Sequence, residues 1–117
     1  MMGRLTTHVL DTALGLPAAG VEIVLFRDQS GLQELARART NADGRLDNPI
    51  LDGDDFTAGT YQLLFRAGDY FRLQSPGLAE PLFVDEVVLR FGVSRPDQHY
   101  HVPLLVSPFA YSTYRGS

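Results

Sequence analysis

Three histidines are the side chains of this sequence best suited to chemistry near neutral pH. His99 and His101 are two residues apart in a predicted β-strand, so both side chains leave the same face of that strand. His8 lies in the middle of the first predicted strand. A His-x-His pair with a distant third histidine is typical of a three-histidine zinc site, whereas neutral imidazoles also serve acid–base catalysis. A solvated strand face is the third interpretation, and the residues alone leave all three open.

Two further features could take part in a site. Arg45 directly follows the turn signal Asp43-Gly44. Its planar guanidinium suits an anionic or carbonyl-rich ligand, although an arginine after a turn is usually solvated. The sequence closes on an aromatic, β-prone stretch over 111–117, with the hydroxyl and carboxylate of Ser117 at its end. Because most chain ends are frayed and polar, this stretch is either a loose edge strand or a functional tail.

Several function classes are disfavoured by what the sequence lacks. It has no cysteine, which excludes a thiol nucleophile, a disulfide frame and a thiolate zinc site. It contains neither a G-x-S-x-G elbow nor a glycine-rich phosphate loop. The net charge is −4 without a basic block, so no nucleic-acid partner is expected. No apolar run approaches the roughly 20 residues that span a bilayer, and without a signal-peptide pattern a cytoplasmic location is expected.

The elements that must position these residues are mostly strands. Alternating apolar and polar residues predict strands over 5–10, 21–26, 32–40, 60–65, 82–91, 100–106 and 111–115. Helix propensity also allows a helix over 32–40, but the turn signals on both sides favour a strand. One short helix is predicted over 67–74, before Pro76-Gly77. About eight short strands separated by turns predict an all-β sandwich with one short helix, in a single domain over 1–117.

Four stretches together resemble the transthyretin-related family, in its 5-hydroxyisourate hydrolase branch. They are LTTHVLD at 5–11 with GLPA at 15–18, TNADGR at 40–45, GDYF at 68–71 and HYHVPLLVSPFAYSTYRGS at 99–117. The resemblance covers nearly the whole chain in order, and the ending YRGS separates the hydrolase branch from the hormone-carrying transthyretins. Ala110 departs from the glycine that the family more often has there, without putting the assignment in doubt.

The resemblance implies a transthyretin-like two-sheet β-sandwich that assembles as a homotetramer, a dimer of dimers, with its sites in a channel between the dimers. It implies hydrolysis of the small-molecule substrate 5-hydroxyisourate to 2-oxo-4-hydroxy-4-carboxy-5-ureidoimidazoline in urate degradation, with no cofactor and no metal. The catalytic residues it implies are His8, Arg45, His101 and Ser117, and the substrate-binding residues are His8, Arg45 and Tyr114. His99 matches the motif but is not a catalytic residue of the family.

The roles follow from the chemistry of ring opening. An imidazole at His8 or His101 would take a proton from water, Arg45 would stabilise the developing oxyanion, and Ser117 would orient the imidazole or the water. Which histidine is the base stays open. The rival interpretation is a small-molecule carrier of the transthyretin type, which predicts an apolar channel without these polar groups. The spacing also keeps open a zinc hydrolase built on the three histidines.

Overall fold

The computed structural model describes residues 2–116 of the chain. Within this range lie nine strands, one turn of 3₁₀ helix and one α-helix. The strands are β1 (Arg4–Asp11), β2 (Leu16–Pro17), β3 (Glu22–Asp28), β4 (Leu32–Arg39), β5 (Leu51–Asp52), β6 (Gly59–Arg66), β7 (Glu86–Val93), β8 (His99–Ser107) and β9 (Ala110–Thr113). The 3₁₀ turn covers Gly53–Asp55, and the helix α1 covers Ala67–Gln74.

The strands form two sheets. The first sheet has the order β2-β1-β8-β9, with β5 also paired to β1, and the second has the order β4-β3-β6-β7. β1 and β8 run parallel, whereas the other described pairs are antiparallel. In the parallel pair, Thr6 lies opposite His101 and His8 lies opposite Pro103. β1, which carries His8, and β8, which carries His99 and His101, are therefore neighbours in one sheet although they lie far apart in the sequence.

The core lies between the two sheets. Along β1, Leu5, Thr7 and Val9 are buried, whereas Thr6 and His8 are only half-buried. Because side chains on a strand alternate between its two faces, the half-buried residues lie on the outer face of the first sheet. The largest fully buried side chains include Tyr61, Phe65, Phe71, Leu5, Ile23, Leu25, Leu63 and Leu104.

The helix is tied to the end of β1 by a buried hydrogen bond. The hydroxyl of Tyr70 donates to Oδ2 of Asp11 at 2.8 Å. The other carboxylate oxygen of Asp11 accepts the backbone N–H groups of Ala13 and Leu14. Burial, followed by this hydrogen bond, raises the pKa of Tyr70 to about 12. The carboxylate therefore fixes both the turn after β1 and the position of α1.

The predicted fold class is confirmed: two β-sheets form a sandwich with one short helix. The preference for a strand over a helix at 32–40 is confirmed by β4, and α1 has the predicted bounds. β2 and β5, of two residues each, lie outside the predicted strands, and the final strand ends at Thr113 rather than at 115. In the described range, no helix is long and apolar enough to cross a membrane.

The predicted strand over 82–91 begins too early, because β7 starts at Glu86. Residues 82–85 alternate between buried and exposed as a strand would, and Phe83 is 80% exposed between buried Leu82 and Val84. β7 pairs with β6, and the pairing ends where Arg66 of β6 lies opposite Glu86 of β7. The helix α1 begins directly after Arg66, so β6 has no further residues that could pair with residues 82–85.

Candidate functional site

The outer face of the first sheet gathers three of the predicted site residues. His8 on β1 and His101 on β8 are half-buried, and Arg45 forms an isolated antiparallel bridge with His8. His99 lies on the same face of β8 as His101, with 6.2 Å between the ring centroids. The parallel register of β1 and β8 is what brings these distant positions together.

A threonine hydroxyl bridges the two histidines of β8. Oγ1 of Thr6 lies 2.7 Å from Nε2 of His99 and 2.8 Å from Nδ1 of His101. Thr6 was not singled out from the sequence. The available signal was its position two residues before His8, which puts both side chains on the outer face of β1.

The ring of His8 is oriented by the loop that carries Arg45. Nε2 of His8 lies 2.8 Å from the backbone carbonyl oxygen of Asp43. A carbonyl oxygen only accepts, so Nε2 must carry the hydrogen, and a neutral His8 then has its lone pair on Nδ1. The loop therefore selects one tautomer of His8.

This loop is a compact turn that needs its glycine. Oδ1 of Asn41 accepts the backbone N–H groups of Asp43 and Arg45, at 2.9 and 3.1 Å. Gly44 has a φ of 75°, and a Cβ atom there would lie 2.4 Å from the carbonyl oxygen of Val9. The carbonyl of Gly44 also accepts the N–H of Val9 at 2.8 Å. The turn is thus held against β1, which places Arg45 beside His8.

The tail after β9 is docked on β8 as far as residue 116. The backbone N–H of Gly116 donates to the carbonyl oxygen of His101 at 2.7 Å. Arg115 donates to Oε1 of Gln98 at 3.0 Å and to the carbonyl of His99 at 3.3 Å. Its guanidinium lies 3.9 Å from the centroid of the Tyr100 ring, a cation–π distance. Over this range the tail is not a frayed end.

Two open grooves meet at the histidine pair. One, of about 530 Å³, runs between β1 and the Arg45 loop, and the other, of about 760 Å³, runs along the tail. His99 and His101 line both grooves, and Tyr114 lines the second. A flat polar ring thus has access to the imidazoles from either side.

The electrostatics of the site favour neutral imidazoles. Burial lowers the pKa of His101 below its usual value, and the nearby charges of Arg45, His99 and His8 lower it further. Burial and the cations Arg4 and Arg115 likewise lower the pKa of His99. A neutral imidazole can accept a proton, so this environment suits a general base.

The structure therefore brings His8, Arg45 and His101 onto one face, with Tyr114 on the adjoining groove. Ser117 lies outside the described residues. Over residues 2–116 no three His, Cys, Asp or Glu side chains cluster as metal ligands would. In particular, Nε2 of His8 is directed at the carbonyl of Asp43 rather than at the His99–His101 pair.

Comparison with known sequences gives close matches over the full length. The model of the HIUase/Transthyretin family matches residues 5–116. A 5-hydroxyisourate hydrolase of Pseudomonas aeruginosa is 58% identical over 117 residues, which cover 99% of this chain and 93% of that protein.

Solved structures share the fold. The crystal structure of (S)-allantoin synthase superposes with a TM-score of 0.94 at 46% identity, over 99% of this chain and 44% of that longer one. The 5-hydroxyisourate hydrolase of Klebsiella pneumoniae gives 0.81 at 33% identity, over 99% of this chain and 100% of that one. Sea bream transthyretin in complex with thyroxine gives 0.85 at 27% identity, over 97% and 94% of the two chains. The predicted transthyretin-like fold is confirmed.

Proposed function

Since the chain belongs to the HIUase/transthyretin family, we propose that it is an enzyme that hydrolyses 5-hydroxyisourate in urate degradation. The observation that carries the proposal is the outer face of the first sheet, where His8, Arg45 and His101 lie together beside the docked tail. The relatives that bear the name of this hydrolase match the chain over nearly its whole length, which supports the same substrate.

The proposed reaction opens the six-membered ring of the substrate with one water molecule. The water oxygen adds to a ring carbonyl carbon while an imidazole takes one of the water's protons. The carbon–nitrogen bond of the ring then breaks, and the leaving nitrogen takes that proton back from the imidazolium. The product is 2-oxo-4-hydroxy-4-carboxy-5-ureidoimidazoline, and neither a cofactor nor a metal has a part in these steps.

We propose His101 as the general base. Its lowered pKa keeps the imidazole neutral, and the bond from Nδ1 to Thr6 holds the ring in place. A positioned general base contributes roughly 10²–10⁴-fold to a rate. His8, whose Nδ1 bears the lone pair in the neutral form, would bind and orient the substrate beside Arg45, with which it forms a bridge.

Arg45 would stabilise the oxyanion that develops on the attacked carbonyl, and Tyr114 would contact the substrate ring. The guanidinium presents several N–H donors in one plane, which matches the edge of a carbonyl-rich ring. One such donor is worth roughly 10²–10³-fold in the transition state. Ser117 is proposed to orient the water or an imidazole, since Gly116 brings the tail to His101.

We also propose that the chain, as one domain over 1–117, works as a homotetramer, a dimer of dimers with its sites between the dimers. Aromatic side chains around β9 are exposed in the single chain: Phe109 by 69%, Tyr111 by 50% and Tyr114 by 61%. Clustered exposed apolar groups of this kind mark protein interfaces. The grooves would then become a closed channel. The cytoplasmic location, and the lack of a nucleic-acid or membrane partner, stay predictions.

A carrier is the alternative, and the likeness to transthyretin in complex with thyroxine favours it. A carrier needs an apolar channel and has no use for a neutral base beside an arginine. His8, Arg45 and His101 therefore favour the hydrolase.

The test uses 5-hydroxyisourate generated in situ from urate and uricase, with its absorbance decay followed after the protein is added. We expect decay much faster than the spontaneous rate, and catalysis roughly 10²-fold weaker with the variant Arg45→Ala purified in parallel. Wild-type protein that leaves the spontaneous rate unchanged would refute the hydrolase and favour the carrier.

A further inference from the structure

The hydroxyl of Thr6 lies between two imidazole nitrogens at normal hydrogen-bond distances, 2.7 Å to His99 and 2.8 Å to His101. The arrangement follows from the fold, because Thr6 lies opposite His101 in the parallel ladder and His99 is two residues away on the same face. The roles proposed above use only the contact between Thr6 and His101, and they give the contact between Thr6 and His99 no part.

The number of hydrogens in the bridge restricts the states of both rings. A threonine hydroxyl donates one hydrogen, and each imidazole nitrogen either donates or accepts. The hydroxyl oxygen can accept from both rings, but its own hydrogen is paired within the bridge only when Thr6 donates to one histidine and accepts an N–H from the other. If it accepts from Nδ1 of His101, it donates to Nε2 of His99, and a neutral His101 has its lone pair on Nε2. If it accepts from His99 instead, His101 carries its hydrogen on Nε2 and has no lone pair there.

We propose that Thr6 and His99 are positioning residues for His101: they hold it with the hydrogen on Nδ1 and the lone pair on Nε2, the form that takes a proton from water. This inference rests on the proposed function and deepens it. His99 matters as the acceptor of the Thr6 hydroxyl, although it does not itself touch the reacting atoms.

The same bridge couples the protonation of the two rings. A protonated His99 carries N–H on both nitrogens, so it can only donate to Thr6. The Thr6 hydrogen then has an acceptor within the bridge only at Nδ1 of His101, and donation to that nitrogen moves the hydrogen of His101 to Nε2 and removes the base. A proton on His99 should therefore lower activity, as a proton on His101 does. At low pH the loss of activity should involve two protons rather than one.

Charged groups from several elements face this pair. They are Arg4 and His8 on β1, Arg45 and Asp47 in the loop before β5, and Arg115 in the tail. Burial and the cations lower the pKa of both His99 and His101, so both rings are neutral near pH 7. Neutral rings are the state in which the bridge sets the tautomer.

The first test needs no substrate. Correlation spectra of the ring nitrogens and carbon-bound hydrogens at mildly alkaline pH report the tautomer of each histidine. We expect wild-type His101 to carry its hydrogen on Nδ1. Thr6→Val, which keeps the shape and removes the hydroxyl, should give a mixture of tautomers, and Thr6→Ser should restore the wild-type form.

The matched control is Thr12→Val. It removes a threonine hydroxyl that donates to the carbonyl of Val106 at 3.2 Å, at the far end of the same strand pair. This variant should leave the tautomers of both histidines and the activity unchanged.

The second test is kinetic. Thr6→Val should lower kcat roughly 5- to 10-fold, the value of one hydrogen bond, with little change in KM. Thr6→Ser should recover most of the loss. His99→Gln puts an amide oxygen within reach of the Thr6 hydroxyl without a titrating group. It should keep most of kcat at neutral pH while its loss of activity at low pH involves one proton fewer than in wild type.

Three results would overturn the inference. The first is a wild-type His101 with its hydrogen on Nε2, and the second is the same tautomer in wild type and Thr6→Val. The third is equal losses of kcat in Thr6→Val and Thr6→Ser, which would show that packing rather than the hydroxyl matters. An inactive wild-type protein with the expected tautomers would refute the proposed hydrolase and still support the role of Thr6.

Discussion

The contact between Gly116 and His101 makes Gly116→Ala an informative perturbation. A Cβ atom at Gly116 would lie 2.8 Å from Cδ2 of His101. Carbon atoms in good contact are about 3.5 Å or more apart, so the added methyl group is about 0.7 Å too close. Either the tail or the imidazole must move by that distance.

The loss expected from such a movement follows from the sensitivity of catalysis to position. Both sides of the contact are held, His101 by its 2.8 Å bond to Thr6 and the tail by Arg115 over the ring of Tyr100. A misplacement of about 1 Å can cost roughly 10²-fold in rate. If the free-energy cost scales with distance, about 0.7 Å costs roughly 25-fold, or about 1.9 kcal/mol of transition-state stabilisation.

The assay is kcat from the absorbance decay of 5-hydroxyisourate, with the melting temperature measured alongside. Gly92→Ala is the control, because a Cβ at this β7 position would meet open space and the backbone there is compatible with alanine. We expect the control to keep wild-type kcat and both variants to keep the wild-type melting temperature. Wild-type kcat in Gly116→Ala would refute the reasoning, and an equal loss in both variants would show that the contact with His101 is not its cause.

Four further outcomes are expected. Arg45→Lys keeps the charge and loses the planar fork, so kcat/KM should fall nearly as far as in Arg45→Ala, roughly 10²-fold; a near-wild-type value would contradict the oxyanion role. His101→Asn should lose roughly 10²-fold or more in kcat and His99→Asn only about 10-fold, and equal losses would contradict the assigned roles. Activity should survive exhaustive EDTA treatment, whereas loss on chelation with recovery on adding zinc would revive a metal site. Light scattering at micromolar concentration should give about four times the 12.9 kDa of one chain, and an active monomer would contradict a channel between dimers.

Most of the fold was predictable, because a strand that is buried on one face has alternating apolar and polar residues in its sequence. β1 shows this in Leu5, Thr7 and Val9, and β6 shows it in Tyr61, Leu63 and Phe65. The pattern fails where burial occurs without pairing. Leu82 and Val84 alternate with an exposed Phe83, but they belong to a loop beside α1 rather than to β7. A two-residue strand such as β2 is too short to leave any pattern.

The site was only partly predictable, because its geometry depends on pairing between distant segments. His99 and His101 share a face by simple alternation, which the sequence shows. That Thr6 lies between them depends on the parallel pairing of β1 with β8, and no local signal specifies that partner. The docking of the tail likewise depends on contacts with β8, such as the bond from Gly116 to His101.

The geometry of the site is fixed by the same strand register that buries the core. A strand that slips by one residue exchanges its two faces, so burying Val9 and Leu104 inside the sandwich also fixes Thr6 opposite His101 outside it. The two parts that lie off the sheet are each joined to these strands by a backbone hydrogen bond. Gly44 accepts from Val9 at 2.8 Å, and Gly116 donates to His101 at 2.7 Å. Arg45 and the tail are therefore held by the backbone of the strands that carry the histidines, so a substitution there can disturb catalysis without disturbing the core.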